Sequence, residues 1–299
     1  MSVPKLTANG IELYYEDAGE RDAPVILLIM GLATQMIAWP QEMIDGLVAR
    51  GFRVIAYDNR DIGLSTRMDR ARAGNPLLTL AAMRFGLRPP VDYTLRDMAA
   101  DAVGLLDALH VPAAHIVGAS MGGMIAQNVA ALFPGHVLSL TSIMSSSGAP
   151  GLPGPSSQLR ARLLRRRPAR PNREQAIAEG VDLLTAISFP DPTRSADAHR
   201  DLAARAFDRS YHPKGARRQL LAIIADGNRA ARLAKIKAPT LVVHGAADPL
   251  VPMANSEDIA QRVTGARLEI IDAMAHDLPP SQVPRMVDLI ASHAAGAAS

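Results

Sequence analysis

Short, almost wholly apolar runs alternate along the chain with longer stretches in which apolar residues recur at helical spacing. Apolar runs of this length without polar alternation are typical of strands buried on both faces, as in a parallel sheet. The runs predict strands at residues 24–30, 53–59, 114–120, 137–145, 239–245 and 267–272. The helical spacing predicts helices over 94–110 and 124–133, and near 280–294. This alternation predicts an α/β fold, with a mostly parallel twisted sheet flanked by helices.

Two regions depart from this pattern. Residues 5–19, KLTANGIELYYEDAG, alternate apolar and polar positions around Asn9-Gly10, which predicts a tight β-hairpin. Residues 146–235 begin as a Ser-, Gly- and Pro-rich loop and continue as helical, Arg- and Ala-rich pieces interrupted by SFPDPTRS. A helical insertion between two strands of one sheet predicts a lid. We therefore expect a core of residues 1–145 and 236–299 and a helical cap at 146–235.

A candidate nucleophile, Ser120, lies where a predicted strand passes into a predicted helix, in HIVGASMGGMIAQNVAALFP. Gly118 to Gly122 fit the pattern G-x-S-x-G, in which small residues let strand and helix approach closely around a strained serine. The serine hydroxyl then projects above the carboxyl edge of the sheet. The alternatives are an ordinary Gly-rich turn or a phosphate-binding loop. The full dinucleotide-binding pattern, with its later acidic residue, is absent.

A nucleophilic serine needs a general base and a group that orients the base. Asp248 follows the predicted strand in LVVHGAADPLVP, and His276 follows the last predicted strand in LEIIDAMAHDLP. The order nucleophile, acid, histidine is the order expected for a G-x-S-x-G serine on a parallel sheet. We therefore predict Ser120, Asp248 and His276 as the catalytic residues.

Asp248 and His276 could also have purely structural roles, and other residues are candidates for the base and the acid. Asp-Pro is a good turn former, and a lone histidine is more often a packing residue than a base. His244 is the alternative base, although it lies inside a predicted strand. Asp272 and Asp277 are the alternative acids.

Ester chemistry also needs two backbone N–H groups that stabilise negative charge on the carbonyl oxygen, an oxyanion hole. Met121, directly after the serine, is one candidate donor. The other lies in MGLATQMIAW, residues 30–39, and Leu32 is the preferred donor because Gly31 frees the backbone before it. The alternative is a simple glycine at the end of a strand.

Taken together, these segments resemble the α/β-hydrolase superfamily over nearly the whole chain. The motifs occur in family order, and they are LLIMGLATQMIAW, VIAYDNRDIGLST, IVGASMGGMIAQNVA, PTLVVHGAADPLVP and AMAHDLP. The likeness is greatest to the esterase-like branch that includes the aclacinomycin methylesterase type of enzyme. It implies Ser120 as nucleophile, Asp248 as acid and His276 as base, with Leu32 and Met121 as the oxyanion donors.

One departure from the family concerns the substrate pocket. Many members carry His-Gly where this chain has Met30-Gly31. The change implies a more apolar pocket, for which we predict Met30, Gly31, Trp39 and Met144 as lining residues. Trp39 could equally cover the loop after the first parallel strand.

Two charged segments each have two interpretations. DNRDIGLST, residues 58–66, could be a second polar site, but we favour a segment that braces the nucleophile loop, with Gly63 forming the turn. RARLLRRRPAR, residues 160–170, could attract an anionic partner, but its interleaved Ala and Leu favour a solvated face of an amphipathic cap helix.

Composition narrows the remaining possibilities. The formal net charge of the 299-residue chain is only +3, which gives no bias toward nucleic acid. The absence of cysteine excludes disulfides and thiolate catalysis, and it fits a reducing compartment. The apolar run PVILLIMGLA is about half the length that a bilayer requires. We expect a cytoplasmic protein without a membrane span, signal peptide, metal or cofactor, as a monomer or homodimer.

The function predicted from these residues is hydrolysis of small to medium, largely apolar carboxylic esters through an acyl-enzyme. A lactonase, a perhydrolase of the haloperoxidase type and a C–C hydrolase could use the same three side chains. A non-catalytic ligand receptor on the same scaffold is the alternative from another class.

Overall fold

A single sheet of eight strands organises the computed structural model, which describes residues 5–69, 75–85, 87, 89–163 and 171–297. The strands are β1 Lys5–Ala8, β2 Ile11–Ala18, β3 Val25–Ile29, β4 Arg53–Tyr57, β5 Ala114–Ala119, β6 Val137–Ile143, β7 Thr240–Gly245 and β8 Arg267–Ile271. Their order across the sheet is β1-β2-β4-β3-β5-β6-β7-β8. The pairs β1·β2 and β2·β4 are antiparallel, and every other pair is parallel.

The predicted hairpin and the six predicted strands are confirmed. Asn9 and Gly10 have φ values of 48° and 78°, the two positive values that a tight hairpin turn requires. The predicted strand at 137–145 ends two residues early because Met144 adopts φ 42°, which takes the chain out of the extended conformation.

Helices occupy most of the chain between the strands. They are α1 Gln41–Val48, α2 Pro76–Arg84, α3 Leu95–Ala108, α4 Met121–Leu132, α5 Ser157–Leu163, α6 Arg173–Ile187, α7 Ala198–Arg209, α8 Pro213–Asp226, α9 Ala230–Leu233, α10 Ala254–Arg262 and α11 Val283–Ala297. The three predicted helices correspond to α3, α4 and α11. Thr94 fixes the start of α3 through a capping box with Asp97.

Two apolar layers bury the two faces of the sheet. Along β3, Leu27 and Ile29 pack in a cluster that includes residues of α3 and α4. Ile26 and Leu28 belong to the cluster on the opposite face, which includes residues of α1 and α11. Because β3 is buried on both faces, its sequence is uniformly apolar, which explains why the strands of this sheet occur in the sequence as short apolar runs.

The insertion between β6 and β7 contains the helices α5 to α9 within its described residues. Buried ion pairs connect it to the segment after β4. Arg209 of α7 lies 2.6 Å from Asp58, and Arg218 of α8 donates to both oxygens of Asp61 at 2.7 and 2.6 Å. The boundaries at 146 and 235 stay a prediction.

The basic run at 160–170 is described only in part. Arg160 and Arg162 belong to α5 and are exposed, whereas Leu159 of the same helix is buried. Residues 164–170 of the run lie outside the described residues.

Candidate active site

Ser120 lies at the turn between β5 and α4, with φ 56° and ψ −118°. A non-glycine residue in this region of backbone space is strained and persists only where its surroundings hold it. Ser120 N donates to Ile143 O at 2.9 Å, and the Ser145 hydroxyl donates to Ser120 O at 2.8 Å. These two bonds from β6 and its extension hold the strained residue. Ser145 was not singled out in the sequence, where it is only the last residue of the predicted strand at 137–145.

The glycines around Ser120 make the turn sterically possible. A Cβ on Gly118 would lie 2.2 Å from Gly122 O, and a Cβ on Gly122 would lie 1.9 Å from Ile29 O. Both separations are far inside van der Waals contact. The pattern G-x-S-x-G is therefore required here by the close approach of α4 to β5 and β3.

Three predicted side chains meet above the carboxyl edge of the sheet. His276 Nε2 lies 3.0 Å from Ser120 Oγ, and His276 Nδ1 lies 2.7 Å from Asp248 Oδ2. Ser120 follows β5, Asp248 follows β7 and His276 follows β8, so parallel strands deliver all three to one edge. The contacts form a continuous chain from hydroxyl to imidazole to carboxylate.

The carboxylate of Asp248 is fixed on both sides. Its Oδ1 accepts the backbone N–H groups of Leu250 and Val251, both at 2.8 Å, and its Oδ2 faces His276. The side chain has no exposed surface. These bonds orient Asp248 toward the ring before any ligand arrives.

The rival base, His244, is occupied elsewhere. Its Nε2 lies 2.8 Å from Val251 O and its Nδ1 lies 2.7 Å from Ser256 Oγ. Since a carbonyl oxygen only accepts, Nε2 donates to it and Nδ1 accepts the Ser256 hydroxyl proton. Burial lowers the pKa of His244 and keeps the ring neutral.

The carboxylate that faces the His276 ring is that of Asp248 and not that of either rival acid. Asp277 forms an ion pair with Arg194. Asp272 is exposed beyond the end of β8.

The loop after β3 runs against the nucleophile. A Cβ on Gly31 would lie 3.2 Å from Ser120 Cβ and 3.6 Å from Ser120 Oγ. Asn59 Nδ2 donates to Met30 O at 2.9 Å, and Ala33 N donates to Gln219 Oε1 at 2.9 Å. The loop is thus held on either side of Leu32, by the segment after β4 and by α8.

Met121 begins α4 and is fully buried. The first N–H groups of a helix have no acceptor within the helix, and Met121 N–H is one of these groups. The assignment of Leu32 and Met121 as oxyanion donors stays a prediction.

The segment at 58–66 is a brace, as we favoured, but its bonds go to partners that the sequence did not indicate. Asp58 Oδ1 accepts Met36 N at 2.9 Å in the loop after β3, and Asp58 Oδ2 accepts Leu64 N at 2.9 Å. Gly63 forms the turn with φ 58°. The segment supports the loop after β3 and the helices α7 and α8, rather than the nucleophile loop that we expected.

Met30, Trp39 and Met144 are buried in one apolar cluster on the face of the sheet that packs against α1 and α11. Their assignment to a substrate pocket stays a prediction, as does that of Gly31. Within the described ranges, no group of three or more His, Asp or Glu side chains is arranged to hold a metal ion. Among the described helices, none combines the length and apolar character that a bilayer-spanning segment needs.

Comparison with known proteins identifies the family of this chain. The family model for the alpha/beta hydrolase fold matches residues 24–279. The chain belongs to the α/β-hydrolase family. It is 30% identical to rhodomycin D methylesterase DauP of Streptomyces sp. (strain C5), over 98% of each chain. It is 29% identical to rhodomycin D methylesterase DnrP of Streptomyces peucetius, also over 98% of each chain.

The fold is shared with a solved structure at lower sequence identity. The meta-cleavage product hydrolase CumD from Pseudomonas fluorescens IP01, a mutant complexed with acetates, superimposes with a TM-score of 0.74 at 19% identity over 98% of each chain. At this identity the likeness concerns the fold. The resemblance to the esterase-like branch of the family rests on the two methylesterases.

Proposed function

We propose that this α/β hydrolase is a serine carboxylesterase that works through an acyl-enzyme. The observation that carries the proposal is the contact chain from Ser120 Oγ to His276 Nε2 at 3.0 Å and from His276 Nδ1 to Asp248 Oδ2 at 2.7 Å. Both distances are within hydrogen-bond reach, so the three groups are arranged for nucleophilic catalysis before substrate binds.

In the first half-reaction Ser120 Oγ attacks the ester carbonyl carbon while His276 Nε2 takes the hydroxyl proton. Asp248 accepts the Nδ1–H bond and stabilises the imidazolium that forms. The N–H groups of Met121 and Leu32 stabilise the oxyanion of the tetrahedral intermediate. His276 then protonates the departing alcohol, and the acyl group stays on Ser120.

The second half-reaction repeats these steps with water as the nucleophile. His276 Nε2 takes a proton from water, the hydroxide oxygen adds to the acyl carbon, and the tetrahedral intermediate collapses. Ser120 leaves with the proton from His276, and a carboxylic acid is released. The two half-reactions together consume only the ester and one water molecule, so the mechanism uses no cofactor.

The substrate class we favour is a methyl ester on a larger, mainly apolar scaffold. The two relatives at 29 and 30% identity are methylesterases, and each alignment spans 98% of this chain. Met30, Trp39 and Met144, which we predict to line the pocket, are apolar, and methionine adapts its shape to varied ligand surfaces. Lactone, peracid and C–C bond chemistry with the same three side chains remain alternatives for the assay to separate.

The test is hydrolysis of p-nitrophenyl esters from acetate to decanoate by the wild type and Ser120→Ala. We expect the substitution to lower kcat on the order of a million-fold. A fluorophosphonate probe should label the wild type and leave Ser120→Ala unlabelled. Equal ester hydrolysis by both proteins would refute Ser120 as nucleophile.

Turnover of the matched methyl ester, lactone and vinylogous 1,5-diketone by the same preparation separates ester cleavage from the other hydrolytic reactions. A perhydrolase would be recognised by formation of a peracid from a carboxylic acid and hydrogen peroxide, with release of water. Tight binding of ester without turnover and without fluorophosphonate labelling would instead favour a ligand receptor.

A further inference from the structure

The loop between α6 and α7 lies directly against the loop that carries His276. Its sequence is SFPDPTRS, residues 188–195, which we term the strap. His276 N donates to the carbonyl oxygen of Ile187, the last residue of α6, at 2.9 Å. The backbone N–H of His276 is therefore bonded to the cap, whereas Met274 O, two residues earlier, accepts Ala247 N of the loop after β7.

The neighbour of His276 makes a second connection to the strap. Asp277 Oδ2 forms an ion pair with Arg194 Nη2, and Asp277 Oδ1 accepts Phe189 N at 3.2 Å. Arg194 Nη1 donates in turn to Phe189 O at 2.7 Å. The side chains of Arg194 and Asp277 are only 13% and 12% exposed, so solvent screens their ion pair little.

The strap has a further attachment to the core beyond this point. Asp191 Oδ2 accepts Ser281 N at 2.9 Å, and Asp191 Oδ1 accepts Thr193 N at 2.9 Å. The strap is thereby joined to Asp277 and to Ser281, and α6, which directly precedes the strap, is joined to His276. Its position and the position of the histidine loop are coupled.

The two ends of His276 are held by different parts of the molecule. Asp248, after β7, holds the ring through Nδ1, and the cap holds the backbone N–H through Ile187. A base must lie within hydrogen-bond reach of the serine hydroxyl, and a displacement of about 1 Å can cost on the order of a hundredfold in rate.

We propose that Arg194 and Asp277 are positioning residues. Their ion pair fixes the strap to the loop that carries His276, and it thereby keeps His276 Nε2 within hydrogen-bond reach of Ser120 Oγ. The proposal rests on the proposed function of Ser120 and His276.

The experiment compares Arg194→Met, Arg194→Lys and Asp277→Asn with the wild type on a p-nitrophenyl ester. Met keeps most of the unbranched stem of Arg without its charge, and Asn keeps the acceptor for Phe189 N. We expect Arg194→Met and Asp277→Asn to lower kcat by ten- to a hundredfold, with KM changed by less than about threefold. Arg194→Lys, which keeps the charge, should retain most of kcat.

A matched control lies in the same cap. Asp208→Asn removes the exposed ion pair with Arg173, which connects α7 to the start of α6 away from His276. It should leave kcat and KM within about twofold of the wild type. Thermal unfolding of every variant separates loss of folding from loss of alignment, and Asp277→Asn keeps the test valid if Arg194→Met fails to fold.

The proposal would be overturned if Arg194→Met and Asp277→Asn both kept kcat within twofold of the wild type. It would also be overturned if their loss of kcat were no larger than that of Asp208→Asn, or if these two variants changed KM and left kcat unchanged. The rate of fluorophosphonate labelling of Ser120 provides a readout that needs no ester. Normal labelling without ester hydrolysis would refute the proposed function, and slower labelling of Arg194→Met would still support the positioning role. Unlabelled wild type would overturn both.

Discussion

His244 Nε2 lies 3.7 Å from Asp248 Oδ2, the oxygen that receives His276 Nδ1 at 2.7 Å. Two histidines thus approach one carboxylate, but they differ in what their other nitrogens contact. Nε2 of His276 lies within hydrogen-bond distance of Ser120 Oγ. Both ring nitrogens of His244 are instead hydrogen-bonded, to Val251 O and to Ser256 Oγ. The geometry therefore favours His276 as the base and His244 as a support for the Asp248 loop.

The first prediction separates the two histidines. His276→Ala removes the base and should lower kcat on the order of a million-fold, as loss of the base does in a serine hydrolase triad. His244→Ala should keep kcat within about tenfold and lower the unfolding free energy, because it leaves the Ser256 hydroxyl and Val251 O without a partner. Ester turnover and urea unfolding measure the two effects. Full activity of His276→Ala with loss in His244→Ala would reverse the assignment.

The sequence was sufficient to predict those features that depend on residues close together along the chain. The apolar runs identified the sheet because strands such as Val25–Ile29 are buried on both faces. Ser120 could be singled out because its elbow is built from residues 118–122, within one turn of the chain. Asp248 and His276 followed from the order in which parallel strands end at one edge.

Contacts between distant segments had no such signal. The brace at 58–66 was recognised, but its partners Met36 and Arg209 are separated from Asp58 by 22 and 151 residues, and charge alone does not select them. SFPDPTRS was recognised only as an interruption between helices. Its bonds to Asp277 and Ser281 depend on how the cap packs against the sheet.

The second prediction concerns the approach of α4 to β3. In Gly122→Ala the new Cβ would lie 1.9 Å from Ile29 O, a backbone atom of a central strand. Neither partner is a flexible side chain, so we expect loss of soluble folded protein or a fall in the unfolding free energy of about 3 kcal/mol or more. Gly135→Ala is the matched control, because no atom lies within 4 Å of its Cβ. Equal midpoints in urea for both variants would contradict the close contact.

The third prediction concerns the ion pair between Asp61 and Arg218, whose side chains are 0% and 2% exposed. Arg218→Met leaves the Asp61 carboxylate buried without its cation and should lower the unfolding free energy by about 3–5 kcal/mol. The double variant with Asp61→Asn removes the uncompensated charge and should recover part of this loss. Urea unfolding of the two single variants and the double variant gives the coupling between the residues. Additive losses would show that the pair is not coupled.

The fourth prediction is a pH dependence of stability that arises from His115. Burial, with a smaller contribution from the charge of His293, lowers the pKa of His115 from 6.5 to about 4. Below pH 6.5 the unfolded chain binds a proton at this position, but the folded protein does not until about pH 4. Stability should therefore fall with acid across this window, and His115 alone should account for about 3 kcal/mol of the fall.

His115→Asn cannot titrate, so its unfolding free energy should decline less steeply than that of the wild type between pH 6.5 and 4. The loss of the contacts of His115 with Ser139 Oγ at 2.8 Å and with the Phe52 ring will lower stability at every pH. The decisive quantity is thus the difference in slope rather than the difference at pH 7. Urea unfolding at several pH values measures it, and parallel curves for the two proteins would mean that His115 takes up its proton equally in the folded and unfolded states.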